Sequence, residues 1–237
     1  YAVKHKNDHV RLNSTSGGAF TALSDTVLQK GGTVYGAGYD DDMRVCHLRT
    51  DTKNKRDTLR GSKYVQSNLG NVFKDIEIDI SKGILTLFVG NPCQVAGLRN
   101  YLPNRDNLIL VDHICYGVPS PKIFRDYLLH ISNNKPEEIK DFFFRDKKHG
   151  WGKTTLTLTK KDGSKRSNLF KYKSFMSLFH GLSIRPNCYE CPFTSYNRPS
   201  DITIADFWGV EKSYPEFYDN TGVSLVLVNS MKGVQVF

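Results

Sequence analysis

Hydrophobic residues recur along the chain in two rhythms, a helical spacing and short unbroken runs. Phe20, Leu23, Val27 and Leu28 fall on one helical face, opened by Ser16-Gly17-Gly18 and closed by Gly31-Gly32. Strands are predicted next over Thr33–Tyr39 and Met43–Thr50, then a helix near Leu69–Ile80. Ile84–Val89 and Leu108–Ile114 are continuous apolar runs, the pattern of parallel strands buried on both faces. Each leads into a helix. One follows Gly90-Asn91-Pro92-Cys93 and carries Val95, Leu98 and Leu102; the other spans Pro121–Ile131, with proline in its first turn. This alternation of strands and helices predicts an α/β unit.

Beyond Lys140 the rhythm changes. Phe142-Phe143-Phe144 predicts a strand, and Thr154–Lys160 alternates threonine with leucine before the Lys161-Asp162-Gly163 turn, the pattern of a hairpin. A short helix over Tyr172–Leu182 and strands over Asp201–Ala205 and Ser224–Asn229 follow, and Lys232–Phe237 reads as the start of another element. The fold class expected is α/β, mixed α+β in the C-terminal part, with a partly parallel sheet flanked by helices and an antiparallel hairpin region. Residues 1–80 and 81–237 are expected to form two regions of one integrated globular unit.

Composition narrows the function. There are 33 Lys+Arg against 24 Asp+Glu, a net charge of +9, and hydrophobic residues make up 39%, so disorder is excluded. No apolar run approaches the ~20 residues of a membrane span, and no secretory segment stands near the start. An opening at Tyr1 rather than Met predicts a fragment. The runs Lys53, Lys55, Arg56 and Lys160, Lys161, Lys165, Arg166 read as solvated faces. A basic surface suits an anionic cofactor or an acidic electron-transfer partner. Nucleic acid ranks third, because no RNP-type or zinc-finger pattern is present. Five cysteines, an odd number, are too few for a disulfide scaffold and point to a reducing, cytoplasmic setting in which thiols serve metals or catalysis.

Cys188-Tyr189-Glu190-Cys191-Pro192 has the spacing of cluster loops, which zinc sites share. Cys93 and Cys115 each fall just past a predicted parallel strand, at the edge where α/β folds place their sites. Spacing leaves two readings open: four thiolates converge there, or Cys93 and Cys115 are small buried hydrophobes beside a lone Cys188/Cys191 pair. Cys46, mid-strand, reads as core. Ser16-Gly17-Gly18 reads as an anion cradle at a helix start or as a simple cap. Lys63 reads as an anion partner or as surface, and Trp151 and Trp208 as ring platforms or as core. Three other patterns fail. Gly36-Ala37-Gly38 lacks the third glycine of a dinucleotide fingerprint and reads as a strand bend. Gly152-Lys153-Thr154 has Lys147 where a P-loop needs its first glycine, and His5 and His9 have no glutamate between them.

Seven segments, in order along nearly the whole chain, resemble the beta subunit of coenzyme F-420 hydrogenases and dehydrogenases. They are Ser14–Gly18, Gly61–Ser67, Gly90–Gln94, Asp112–Pro119, Phe144–Lys147, Arg185–Cys191 and Asp201–Gly209. The resemblance implies an iron–sulfur flavoprotein containing FAD and a 4Fe–4S cluster, with coenzyme F-420 or another hydride carrier as substrate. It implies cluster ligation by Cys93, Cys115, Cys188 and Cys191. It also implies diphosphate contacts from Ser16, Gly17 and Gly18, and stabilisation of reduced flavin by Ser62 and Lys63, with Asn91 and His113 behind them. Region 1–80 would then contact flavin and region 81–237 hold the cysteines. Asn91 and Tyr116 depart from the threonine and histidine frequent in the family. The family's N-terminal ferredoxin-like module has no counterpart here, so a redox partner protein is expected. Two alternatives belong to other classes: a nucleophilic Cys93 with His113 as its base, and a zinc-stabilised basic binding module.

Overall fold

The computed structural model describes residues 1–168, 179 and 182–237. The main sheet draws on β1 (Ala2–Val3), β2 (Thr33–Tyr39), β3 (Val45–Thr50), β4 (Thr86–Gly90), β5 (Leu108–His113), β9 (Ile202–Asp206) and β10 (Ser224–Val228). A smaller sheet holds β6 (Ile139–Asp146), β7 (Thr155–Lys160) and β8 (Lys165–Asn168). The helices are α1 (Asp8–Leu12), α2 (Ala19–Gln29), α3 (Lys53–Asp57), α4 (Val72–Ser81), α5 (Pro92–Tyr101), α6 (Pro121–Ile131), α7 (Val210–Ser213) and α8 (Met231–Val236).

The seven strands lie in the order β1-β10-β9-β5-β4-β2-β3. β2, β4, β5 and β9 are parallel, and β3 and β10 run against them. The unbroken apolar runs are explained by cover on both faces. Leu23 and Val27 of α2 pack with Val34, Leu87, Ile109 and Val111 on one side, where Val236 of α8 joins them. Ile76 of α4 and Val95 and Leu98 of α5 pack with Tyr35, Phe88 and Leu110 on the other. Buried Asp79 ties α4 to the sheet, accepting from Thr33 (3.0 Å), Tyr35 (2.8 Å) and Arg49 (2.8 Å). The expected α/β class, with a separate antiparallel sheet, is the one observed.

The small sheet builds a third core with α6, in which Phe124, Leu128, Phe142, Phe144, Leu156 and Leu158 meet Met43, Val45 and Val65. The Tyr39 hydroxyl donates to Phe142 O at 2.8 Å, joining the two sheets at the carboxyl end of β2. The carboxyl ends of β2, β4, β5 and β9 therefore share one edge, with β6 reaching to it. In open α/β sheets that edge is where ligands bind.

Several local expectations shift. The strand expected from Met43 starts at Val45, because Asp40 accepts the N–H groups of Asp42 and Arg44 in a turn that puts Met43 at φ 59°. Gly36-Ala37-Gly38 lies inside regular β2 rather than at a bend; a Cβ on Gly38 would stand 2.7 Å from Leu48 and 2.9 Å from Leu59. Lys53–Asp57 is helix, and Arg56 is buried rather than solvated, donating to Thr21 O (3.0 Å) and Ser24 Oγ (2.7 Å). The helix expected over 172–182 falls mostly outside the described residues.

Candidate functional site

The strand ends place the thiols. β4 runs into Asn91, which caps α5 reciprocally with Gln94, and the proline at the first helical position fixes Cys93 in the opening turn. β5 ends at His113, two residues before Cys115. Cys188 closes a short 3-10 turn that starts at Pro186, and its side chain faces Gly117, where an added Cβ would meet Cys188 Cβ at 3.4 Å. Cys93 and Cys115 respond to the thiols around them. Burial raises Cys115 to about 11, with Cys93, Cys188 and Cys191 adding to the rise. Cys93, though exposed, is raised by desolvation and by Cys191 and Cys188. A nucleophile activated by its helix start needs a lowered pKa, so the Cys93-nucleophile alternative gains no support. All four cysteines are free. Among the described residues, no three His, Cys, Asp or Glu close to metal-binding distance. The segments are docked, and four soft thiol donors in one neighbourhood match an iron–sulfur cluster or zinc in kind.

Hydrogen bonds interlock the motif segments around these thiols. Gln94 donates to Ser67 Oγ at 2.9 Å, Gln66 N to Pro119 O at 3.2 Å, and Arg185 N to Val118 O at 3.1 Å, while the Arg185 guanidinium also donates to the Gln66 side chain. Ser62 N donates to Thr15 Oγ1 at 2.7 Å, which brings the Ser62-Lys63 loop onto the Ser16-Gly17-Gly18 loop. The ammonium of half-buried Lys63 donates to Leu59 O (3.0 Å) and Arg60 O (2.9 Å), and burial pushes its pKa down to about 8 against the opposing pull of Asp141.

The glycine loop is less open than its sequence implies. Ser16 Oγ donates to Val223 O (2.6 Å), and Gly17 N donates to Ser224 Oγ (2.9 Å). A Cβ on Gly17 would stand 2.6 Å from Ser224 N, so glycine is required for this approach. The first-turn N–H groups of α2, beyond Gly18, are what this loop leaves for a ligand. Lys147 holds it from beneath: its buried ammonium donates to Arg11 O (2.6 Å), Ser16 O (2.9 Å) and Thr221 O.

Other residues lie near these segments, and His47 among them is one that sequence patterns left without a role. His47 on β3 is buried, contacts Val89 O through Nε2 (3.0 Å), and stacks on Phe88. Burial holds its pKa down to about 4, with His113 and Lys63 pushing the same way. His113 is itself lowered by burial. Trp151 is core, and its Nε1 donates to Asp206 Oδ1 (2.8 Å) at the end of β9. Trp208 is 58% exposed and stacks on Trp151 at 4.6 Å and 8°. Arg145 pairs with Asp206 and lies over Trp208 at 5.1 Å. Arg145 and Lys147 belong to a matched segment, the one available signal; their partners lie up to 136 residues away, beyond the reach of any local pattern.

No curated protein matches the chain. Residues 85–237, more than half its length, match the family described as the C terminus of the coenzyme F420 hydrogenase/dehydrogenase beta subunit. Among solved structures, a chain of the xenon-derivatised F420-reducing [NiFe] hydrogenase complex from Methanosarcina barkeri is similar at a TM-score of 0.64 and 17% identity. The similarity covers 99% of this chain and 76% of that one, which extends the likeness in fold to residues before 85. Among the described residues, no helix is long and apolar enough to cross a membrane. The chain belongs to the coenzyme F420 hydrogenase/dehydrogenase beta subunit family and has an oxidoreductase role.

Proposed function

We propose that the chain is a flavin- and iron–sulfur-dependent electron-transfer module. What supports this reading is that Cys93 and Cys115 follow neighbouring parallel strands, that Cys188 and Cys191 are near enough to act on Cys115, and that the Ser62-Lys63 loop bonds to the loop before α2. Bound flavin would supply the exchange of a two-electron hydride for single electrons, which a 4Fe–4S cluster stores and passes on. The four cysteines would hold the cluster. Lys63, with Ser62 beside it, would stabilise an anionic reduced ring, and the start of α2 at Gly18 would face the diphosphate. Ser16 and Gly17 would act by fixing that loop, since their donors are already engaged within the protein. Asn91 orients Cys93 by capping α5, and the backbone of His113 leads into Cys115.

A deazaflavin such as coenzyme F420 is the hydride carrier proposed, because the family and the M. barkeri complex are both described by it. That neighbour works within a complex, so a partner subunit is proposed to take the electrons onward. Anaerobic reconstitution with iron, sulfide and FAD tests the reading. Uptake of both, with flavin and cluster absorption, is the expected result. Folded protein that takes up neither would overturn it, and colourless protein that retains zinc would transfer the cysteines to a structural role.

A further inference from the structure

One arginine joins the two halves of the cysteine site. Arg198 lies in the segment after the CxxC turn, and its side chain is only 6% exposed. Its Nη1 donates to Phe193 O at 2.8 Å, and its Nη2 donates to His113 O at 3.1 Å. The same Nη2 stands 3.0 Å from Oδ2 of Asp112, a fully buried carboxylate whose Oδ1 accepts from Thr203 at 2.6 Å. Phe193 is two residues past Cys191, and His113 is two residues before Cys115. One planar guanidinium therefore bridges the backbone of both thiol-bearing segments. Tyr189 in the turn and Tyr196 beyond it are 69% and 94% exposed, so neither ring anchors the segment.

We propose that Arg198 is a positioning residue that sets the distance of the Cys188–Cys191 turn from Cys115, with Asp112 orienting its guanidinium. The proposal rests on the four-thiol reading above. The rigid fork carries donors in several directions from one plane, which a single ammonium on a flexible stem cannot reproduce. Arg198→Lys keeps the charge and loses the bridge. Arg198→Gln also loses the charge and leaves Asp112 buried without its cation, so the double variant Asp112→Asn with Arg198→Gln provides a fold-compatible control.

The test is anaerobic titration of the full chain with Co²⁺, a probe whose sulfur-to-cobalt absorption reports the thiolates bound, alongside thermal melting of each protein. Wild type is expected to bind with strong thiolate absorption. Arg198→Lys and the double variant are expected to bind about tenfold or more weakly, the usual effect of losing a group that orients metal ligands, and with less thiolate absorption per cobalt. If the double variant folds and matches wild type in affinity and spectrum, Arg198 is only a countercharge for Asp112 and the proposal is overturned. Absence of thiolate absorption in wild type would instead refute the four-thiol reading on which the proposal stands.

Discussion

Acidification should weaken the fold at His47. The ring is buried on β3, in contact with Val89 O and stacked on Phe88, and burial holds its pKa down to about 4. In the unfolded chain an ordinary histidine titrates near about 6.5. Between these values the unfolded state binds a proton that the folded state refuses, so stability rises with pH across this window and is withdrawn as pH falls through it. At ~1.36 kcal/mol for each pH unit, the gap amounts to about 3 kcal/mol between pH 7 and pH 4, a substantial part of a domain's net stability. His47→Gln retains an amide donor for Val89 O and removes the titration. Urea unfolding of both proteins at several pH values between 4 and 7 isolates the effect, because the carboxylates are common to the two. Wild type should lose about 3 kcal/mol more than the variant across that range. Parallel profiles would refute the assignment of a neutral, proton-refusing His47.

Lys63→Ala should weaken the hold on reduced, anionic FAD by about 1.5–3 kcal/mol, the usual worth of a charge-assisted contact, read as a lowered potential of the bound flavin. Because burial holds Lys63 at about 8, wild-type affinity should decline as pH rises from 7 to 9 while the variant's profile stays flat; equal profiles would return Lys63 to a structural role. Trp151→Ala should cost about 3–5 kcal/mol in urea unfolding, as for other large buried aromatics. Trp208→Ala, which removes a 58% exposed ring, should cost much less, and comparable losses would contradict the division between core and rim.

Local chemistry made much of the frame legible. β2 and α6 fall where hydrophobic rhythm, a glycine pair and a leading proline place them, because each is bounded by residues that act on their own backbone. The thiols could be assigned to one sheet edge because continuous apolar runs identify parallel strands and Cys93 and Cys115 follow two of them. Short polar elements were not legible. Residues 53–57 form a helix because Arg56 finds Thr21, Ser24 and Asp25 on α2, partners no local pattern contains. β1, only two residues long, exists through pairing with β10, more than two hundred residues later. The glycine loop illustrates the same limit in chemistry. Its sequence reads as an anion cradle or as a simple cap, and neither reading contains Val223 and Ser224, which arrive from the far end of the chain and engage its donors. Arg198 carries no local pattern that marks it, and its role emerges only from its bonds to His113 and Phe193.

The central claim is that four cysteines from three separate segments act as one redox centre. Its most direct measurement is the iron and sulfide content of five single variants after anaerobic reconstitution, with Cys46, Cys93, Cys115, Cys188 and Cys191 each replaced by alanine. Cys46→Ala should retain the wild-type content, since that residue lies within β3, and each of the other four should lose most of it. Full iron and sulfide in Cys93→Ala or Cys115→Ala, with loss confined to Cys188→Ala and Cys191→Ala, would contradict the account.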